Sequence, residues 1–324
     1  MRYLVQLATL LGGLVFGALP ANAEEGLSIG VQATGTVKWE LAAMAALGLD
    51  AGLALEIRDV ADSRAGQIAL QAGEVDVILS DFVWVSVQRQ QGAAFTMVPH
   101  SLTVGGLMVE PNAGIAALAD LRGKTIAVSG SPVDKSFVIL SAAYGKSTGR
   151  SLAEDATLRF GAPPLVNEVL ASGQAQAALN LWNWNARAKV AGKIEFTSIA
   201  ALLGELGVAG VPPLLGWTFF EPSGEAQAMA LTGFLDASFA TKAVLLSDDA
   251  IWETIRPVMN VGEDDALFTR LRDDYRAGIV TRYADEDIEL ARQSFAVMAQ
   301  FGGSEVVGPA DERAEGTFWR GYRK

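Results

Sequence analysis

Short apolar runs alternate with helical patterns along most of the chain. In the first half the elements are a strand at 27–32, a helix at 38–47, a strand at 53–60, a helix at 63–72, a strand at 75–79 and a helix at 82–91. Strands and helices that alternate at these lengths are typical of parallel sheets built from βαβ units. The pattern therefore predicts an α/β fold.

The same order of elements returns about one hundred residues later. The second set comprises strands at 124–129, 157–160 and 175–179 and helices at 133–144, from 162 onward and at 182–191. The segment 70–80 (LQAGEVDVILS) aligns with 170–180 (LASGQAQAALN), and Phe82 and Trp84 then align with Trp182 and Trp184. The opening strands, near Val31 and Val128, are offset by 97. A near-constant offset between two such sets predicts two similar lobes.

Two β-prone segments, 102–110 and 214–220, lie at the borders of the second set, and each ends in a Pro- and Gly-containing turn signal. We interpret them as crossover strands that join the lobes as a hinge. The predicted lobes are 24–104 with 220–324, and 105–219. The mostly helical remainder, 226–324, is expected to pack back on the first lobe.

The N-terminus has the pattern of a secretory signal. Arg2 is followed by an apolar run at 4–19 and by the small-x-small sequence Ala21-Asn22-Ala23. The run is shorter than the roughly 20 residues that span a bilayer. We therefore expect a signal peptide at 1–23, cleavage after Ala23, a periplasmic location and no stable membrane insertion.

Composition narrows the possible functions. Cysteine is absent and His100 is the single histidine, so neither a Cys nucleophile nor a His-rich metal site can be assembled. Removal of the signal with Arg2 leaves 24 of the 25 basic residues against 37 acidic ones, a net charge of −13 that disfavours nucleic acid. No catalytic residue, metal site or cofactor is predicted, and His100 is interpreted as structural.

Three segments resemble a known family. Residues 118–128 (LADLRGKTIAV) are similar to the start of the second lobe in periplasmic binding proteins, and the Leu-x-x-Gly segments at 70–76 and 170–176 are similar to those of the NitT/TauT family, which binds nitrate, sulfonates, taurine and thiamine precursors. The second segment departs from the family pattern at Gln176, where Asp is usual. The resemblance implies a type II periplasmic binding protein: two lobes, each a mainly parallel sheet flanked by helices, joined by two hinge crossover strands. It also implies a monomer that delivers a small molecule to the permease of an ABC importer.

The implied ligand site lies at the carboxyl ends of the strands, where loops and helix N-termini meet. The candidate ligand-binding residues from the four loops there, with one hinge residue, are Thr34, Thr36, Lys38, Trp39, Ser80, Phe82, Trp84, Ser131, Lys135, Asn180, Trp182, Trp184, Arg187 and Trp217. Hydroxyl and amide side chains at helix starts are often only N-caps, and buried tryptophan often belongs to a core. Those alternatives stay open for each residue.

The tryptophans favour a planar aromatic, anionic ligand, such as a thiamine-precursor pyrimidine or a quinone-type aromatic acid, although a small sulfonate remains an alternative. Trp182 and Trp184 cannot share a helix face, so we expect one to face the cleft while the other packs. Two other functions stay open. One is a periplasmic sensor or accessory carrier, for example of a quinone-type cofactor, and the other is an enzyme of the pyrimidine-biosynthesis type on the same fold.

Overall fold

The computed structural model describes residues 26–324. The signal peptide expected at 1–23 and its cleavage after Ala23 lie outside the described residues. Within 26–324 the strands are β1 (Leu27–Gln32), β2 (Leu55–Val60), β3 (Val77–Asp81), β4 (Phe95–Ser101), β5 (Gly105–Val109), β6 (Thr125–Ser129), β7 (Thr157–Gly161), β8 (Ala177–Leu181), β9 (Ile194–Ser198) and β10 (Leu215–Phe220).

The α-helices of the same range surround these strands. They are α1 (Val37–Ala46), α2 (Ser63–Gln71), α3 (Phe82–Gln90), α4 (Lys135–Thr148), α5 (Leu152–Asp155), α6 (Pro163–Ala171), α7 (Trp182–Val190), α8 (Ile199–Glu205), α9 (Glu225–Ser247), α10 (Ala250–Ile255), α11 (Asp265–Ala277), α12 (Asp285–Gly302) and α13 (Ser304–Val307). Short 3-10 turns lie at Leu118–Leu121 and Arg256–Met259.

The strands form two five-stranded sheets with the same topology. Lobe 1 contains the sheet β2-β1-β3-β10-β4, and lobe 2 contains the sheet β7-β6-β8-β5-β9. In each sheet the fourth strand comes from the other half of the chain and runs antiparallel to its neighbours. The chain thus crosses between the lobes after β4 and again before β10. The predicted fold class, two mainly parallel α/β lobes with two hinge crossovers, is confirmed.

The internal repeat is present in the coordinates with an offset of 100 residues. The set α2, β3 and α3 has its counterpart in α6, β8 and α7, and each member begins 100 residues after its equivalent. Between helix and strand, Gly73 and Gly173 have φ of 71° and 72°. This left-handed conformation strains any residue with a Cβ, so both copies use glycine for the same turn.

Gln176, where the sequence departs from the family pattern, makes the same kind of contact as Asp76 in the first copy. Asp76 Oδ2 accepts hydrogen bonds from the backbone N–H and hydroxyl of Ser28, and Gln176 Oε1 accepts one from the backbone N–H of Thr125. Both side chains lie before the amino ends of β3 and β8, at the opposite end of the sheet from the expected site. An amide oxygen serves there as well as a carboxylate.

The C-terminal helices pack on the first lobe, as expected from the sequence, and they contact the second lobe as well. Helices α9 and α10 pack on α1, but α11 packs on α7 and α12 packs on α4 of lobe 2. The reason is that α12 is apolar on more than one side: Phe295 lies 6.3 Å from Phe82 of lobe 1, while Met298 and Val297 are also buried. The lobes are therefore joined by packing as well as by the hinge.

Helix α9 is long and apolar enough to cross a membrane by length and composition. Half of the most apolar stretch of this helix is buried, and Phe234 and Leu235 lie in the core of the protein. Core helices of soluble proteins pass the same test of length and composition.

Candidate ligand-binding site

A small enclosed cavity lies beside the hinge, between the two lobes. Its volume is about 30 Å³, which is room for about two water molecules. The lining residues are Thr36, Leu79, His100, Ser101, Thr103, Trp182, Leu215, Lys242, Tyr275, Gly278 and Ile279. Among them, only Trp182, the first residue of α7, belongs to lobe 2. The two lobes are thus closed on one another, and the cleft must open to admit an organic molecule.

Two aromatic side chains, Trp182 and Tyr275, line this space, and Trp39 packs against both without lining it. The ring of Trp182 lies 5.8 Å from Trp39, at an interplanar angle of 88°, and 5.9 Å from Tyr275, at 68°. Trp39 and Tyr275 are 6.0 Å apart. Trp182 is the first residue of α7 in lobe 2, and it remains partly exposed while its two partners are buried. These edge-to-face contacts are of the kind that aromatic pairs prefer.

A network of buried polar residues forms the floor of the cavity. Glu40 Oε2 is 3.0 Å from Nε2 of His100 and accepts a hydrogen bond from the Tyr275 hydroxyl at 3.1 Å. Glu40 Oε1 accepts from Lys242 Nζ at 3.0 Å and from the Ser238 hydroxyl. Glu40, Lys242 and His100 are 0, 2 and 4 % exposed. An ion pair so fully removed from water has lost its hydration, so its two members depend on each other.

Trp217 contacts two residues of this polar network, Ser238 and His100. Its indole N–H donates to Ser238 Oγ at 3.0 Å, and its ring meets the His100 ring edge-on at 4.9 Å. Trp217 is fully buried in β10, between β3 and β4, and does not line the cavity. It acts on the site through Ser238 and His100.

The charges of the network follow from its geometry. Burial alone would raise the pKa of Glu40, but Lys242 and the hydrogen bonds from His100 and Ser238 hold it well below its usual range. Burial lowers the pKa of Lys242, and Glu40 opposes that change. Burial also lowers the pKa of His100, Lys242 lowers it further, and Glu40 opposes both. The floor therefore combines an ionised Glu40–Lys242 pair with a neutral imidazole.

Thr36 lines the cavity and is free for a ligand. It is the N-cap of α1, yet its side chain makes no capping hydrogen bond. Asp62, Asp81 and Asp134 by contrast cap α2, α3 and α4 with their carboxylates. The hydroxyl of Thr36 is thus available in a way that an ordinary cap residue is not.

Two lysines among the candidates already have carboxylate partners. Lys38 pairs with Asp59 at 2.7 Å within lobe 1. Lys135 pairs with Asp81 at 3.2 Å and so connects lobe 2 to lobe 1 across the cleft. Neither lines the cavity.

Ser80 and Asn180 hold matching structural positions in the repeat. Gln67 donates to the Ser80 hydroxyl at 3.1 Å, and Asn180 donates to Asn167 Oδ1 at 2.9 Å. Gln67 and Asn167 are again 100 residues apart. The first pair connects α2 to the end of β3, and the second connects α6 to the end of β8. Both Ser80 and Asn180 are buried.

The remaining candidates lie away from the cavity. Phe82 is buried against Phe295 and Phe318, and Trp84 packs on Phe95. Trp184 lies under the guanidinium of Arg187, 5.5 Å from the ring centroid, so it packs while Trp182 lines the cavity.

Thr34 and Ser131 are exposed in the loops after β1 and β6. These two hydroxyls line no part of the closed cavity.

The sequence analysis missed Glu40, His100, Lys242 and Tyr275. Two signals were present. Lys242 is the lone basic residue of the apolar helix α9, and Glu40 directly follows a tryptophan at a buried position of α1. Within residues 26–324, no group of three or more His, Asp or Glu side chains is placed to hold a metal ion.

The chain is similar to known proteins in two ways. Residues 49–203 match the family model described as NMT1/THI5 like, a segment that includes His100 and Trp182. No curated protein matches the chain by sequence.

Solved structures resemble almost the whole chain. The alkanesulfonate-binding protein SsuA from Xanthomonas axonopodis pv. citri, bound to MOPS, is 17 % identical with a TM-score of 0.69, over 91 % of this chain and 98 % of that one. The periplasmic aliphatic sulphonate binding protein SsuA from Escherichia coli is 15 % identical with a TM-score of 0.71, over 91 % and 92 %. The desulfurization enzyme DSZB is 13 % identical with a TM-score of 0.57, over 88 % and 97 %.

At these identities the solved structures establish the fold, and the family model locates the sequence similarity in residues 49–203. Both findings agree with the resemblance found in the sequence: the chain has the two-lobed fold of these binding proteins, and its residues 49–203 are similar to the NMT1/THI5-like family.

Proposed function

We propose that this protein is exported to the periplasm, binds a small planar aromatic, anionic molecule between its lobes, and delivers it as a monomer to the permease of an ABC importer. The observation that carries the proposal is the closed cavity, with a polar floor on lobe 1 and one aromatic side chain, Trp182, reaching it from lobe 2. A site divided in this way is completed only when the lobes close, as expected for a hinge-closing binding protein.

The residues that line the cavity suit a flat ring better than a bare inorganic anion once the cleft has opened to admit it. Leu79, Leu215 and Ile279 supply apolar walls, and Trp182 supplies an aromatic face. Thr36 and Thr103 supply hydroxyls, and the first turn of α1 supplies a partial positive charge for an anionic group. The Glu40–Lys242 pair is neutral as a whole and does not provide that charge.

Thermal-shift and tryptophan-fluorescence titrations test this function with 4-hydroxybenzoate, 4-amino-5-hydroxymethyl-2-methylpyrimidine, taurine and nitrate. A ligand that binds only the folded protein raises the melting temperature. We expect one of the two planar compounds to bind and to change the fluorescence. Binding of taurine or nitrate alone would contradict the proposed ligand class.

A second candidate, an enzyme on the same fold, is favoured by one observation: an imidazole hydrogen-bonded to a buried carboxylate lines the cavity. One solved structure of this fold is an enzyme by its own description. Chromatography of each bound compound after prolonged incubation distinguishes the two functions. A binding protein returns the compound unchanged, whereas any product favours the enzyme.

A further inference from the structure

The polar floor of the cavity leaves one buried atom without a partner. Four buried side-chain atoms of the described residues have no hydrogen-bond partner: His100 Nδ1, Ser141 Oγ, Asn185 Oδ1 and Arg313 Nε. His100 alone among these residues lines the cavity. Since buried polar atoms are nearly always hydrogen-bonded in native proteins, this atom indicates a missing partner.

The neighbours of His100 determine what kind of partner is missing. Glu40 is ionised and can only accept, so the ring nitrogen 3.0 Å from Oε2, Nε2, carries the proton. A neutral imidazole has a single N–H, which leaves Nδ1 as an acceptor. Burial and the neighbouring Lys242 both keep the ring neutral.

The other groups near the ring supply no donor to Nδ1. The Tyr275 hydroxyl donates to Glu40, the Trp217 N–H donates to Ser238, and Lys242 donates to Glu40 and Ser238. The Ser238 hydroxyl also donates to Glu40. These contacts use two of the three N–H groups of Lys242 and the other donors named here, and none of the network's donors reaches Nδ1. The partner of Nδ1 therefore has to come from outside the network.

We propose that His100 Nδ1 accepts a hydrogen bond from the ligand, so that the cavity selects planar molecules that carry an amino, ring N–H or hydroxyl donor. The inference rests on the function proposed above and specifies its ligand class. Glu40 acts as a positioning residue, because its bond to Nε2 fixes which ring nitrogen faces the ligand as an acceptor.

The first experiment needs no ligand. His100 is the single histidine of the chain, so ¹⁵N-histidine labelling gives one pair of ring-nitrogen resonances. At pH 7.5 we expect the neutral tautomer with the proton on Nε2. A proton on Nδ1, or on both nitrogens, would overturn the inference.

The second experiment compares three probes of nearly equal size: 4-aminobenzoate, 4-hydroxybenzoate and 4-methylbenzoate. The first two carry a donor where the third has a methyl group. We expect the wild-type protein to bind at least one of the first two ten-fold or more tightly than 4-methylbenzoate. In His100→Phe, which keeps a planar ring but has no acceptor, this preference should vanish. Circular dichroism and the melting temperature establish that the variant is folded.

Ser141→Ala is the matched control, because Ser141 also has a buried atom without a partner but lies on α4, away from the cavity. It should keep the wild-type preference. Equal binding of all three probes, or a preference that His100→Phe retains, would overturn this inference and leave the proposed function standing. Binding of none of the three to the wild-type protein would overturn the proposed ligand class as well.

Discussion

Lobe 1 and lobe 2 share one topology but contribute unequally to the cavity. The floor (Glu40, His100, Lys242) belongs to lobe 1 and the helices packed on it, whereas lobe 2 contributes Trp182. Position 82, the equivalent of 182, shows how the copies diverged: Phe82 is buried beneath Phe295 and Phe318, while Trp182 faces lobe 1. The two copies of the duplicated unit thus place the equivalent side chain in a core in lobe 1 and at the cavity in lobe 2.

The largest effect is expected from breaking the buried ion pair of lobe 1. Glu40→Gln or Lys242→Met alone leaves a buried charge without its partner and should lower the free energy of unfolding by about 3–5 kcal/mol. The double variant should lose less than either single variant, because no lone charge remains. Urea unfolding followed by circular dichroism measures all three. Arg58→Met, which breaks an exposed pair with Glu56, is the control and should change stability far less. Single variants as stable as this control would contradict the interpretation.

The next comparison uses the repeat directly. Phe82→Ala removes a buried ring and should cost about 3–5 kcal/mol of stability. Trp182→Ala removes a partly exposed ring and should cost clearly less. It should instead weaken the binding of a planar ligand by roughly 5- to 150-fold, the equivalent of about 1–3 kcal/mol for stacking on an aromatic side chain. Unfolding and binding titrations on both variants test the contrast, and equal losses of stability would contradict it.

A smaller effect is expected from pH. Because burial lowers the pKa of His100 in the folded protein, the unfolded chain binds a proton near pH 6.5 that the folded one does not. Stability should therefore fall as the pH drops below 6.5, by at most about 1.4 kcal/mol per pH unit from this group. The pKa of Glu40 is lowered, so its contribution is lost only at more acidic pH.

Urea unfolding of wild type and His100→Gln at pH 7.5, 6.5 and 5.5 measures this dependence. The difference in stability between the two proteins should narrow toward pH 5.5. A difference that stays constant across the three values would show that His100 is not buried in its neutral form.

The smallest effect concerns the contact between the lobes. Lys135→Met removes the pair with Asp81 across the cleft, and one third of the Lys135 side chain is exposed, so about 0–1 kcal/mol of closing energy is at stake. Solution scattering should show a slightly larger radius of gyration. Lys38→Met, which breaks the Asp59 pair inside lobe 1, should leave the radius unchanged. The same radius of gyration in both variants would show that the Lys135–Asp81 pair does not contribute to closure of the lobes.

The sequence predicted the fold because each part of that prediction depends on local signals. The alternation of strands and helices and the glycines at 73 and 173 are visible within short stretches of sequence. The offset of 100 is visible when two such stretches are aligned. Strand β9 was not predicted, and α10 and α11 were covered only by the expectation that 226–324 is mostly helical, without bounds of their own. Trp182 and Trp184 were both candidates because they follow an apolar strand, and the sequence did not indicate which of the two lies at the cavity.

The polar floor could not be predicted in the same way. Glu40, His100, Lys242 and Tyr275 come from α1, β4, α9 and α11, and no local pattern relates positions so far apart. His100 was interpreted as structural because a single histidine gives no spacing to evaluate. Only the packing of α9 and α11 against α1 brings these residues to one point.

The most direct test of the account is mass spectrometry of the small molecules released by heat from protein purified from the periplasm, wild type beside Trp182→Ala. The account predicts about one equivalent of a planar, aromatic, anionic compound from the wild-type protein and a strong reduction in the variant. Equal release from both proteins, or the absence of any bound small molecule from the wild type, would contradict a ligand held between the lobes by Trp182.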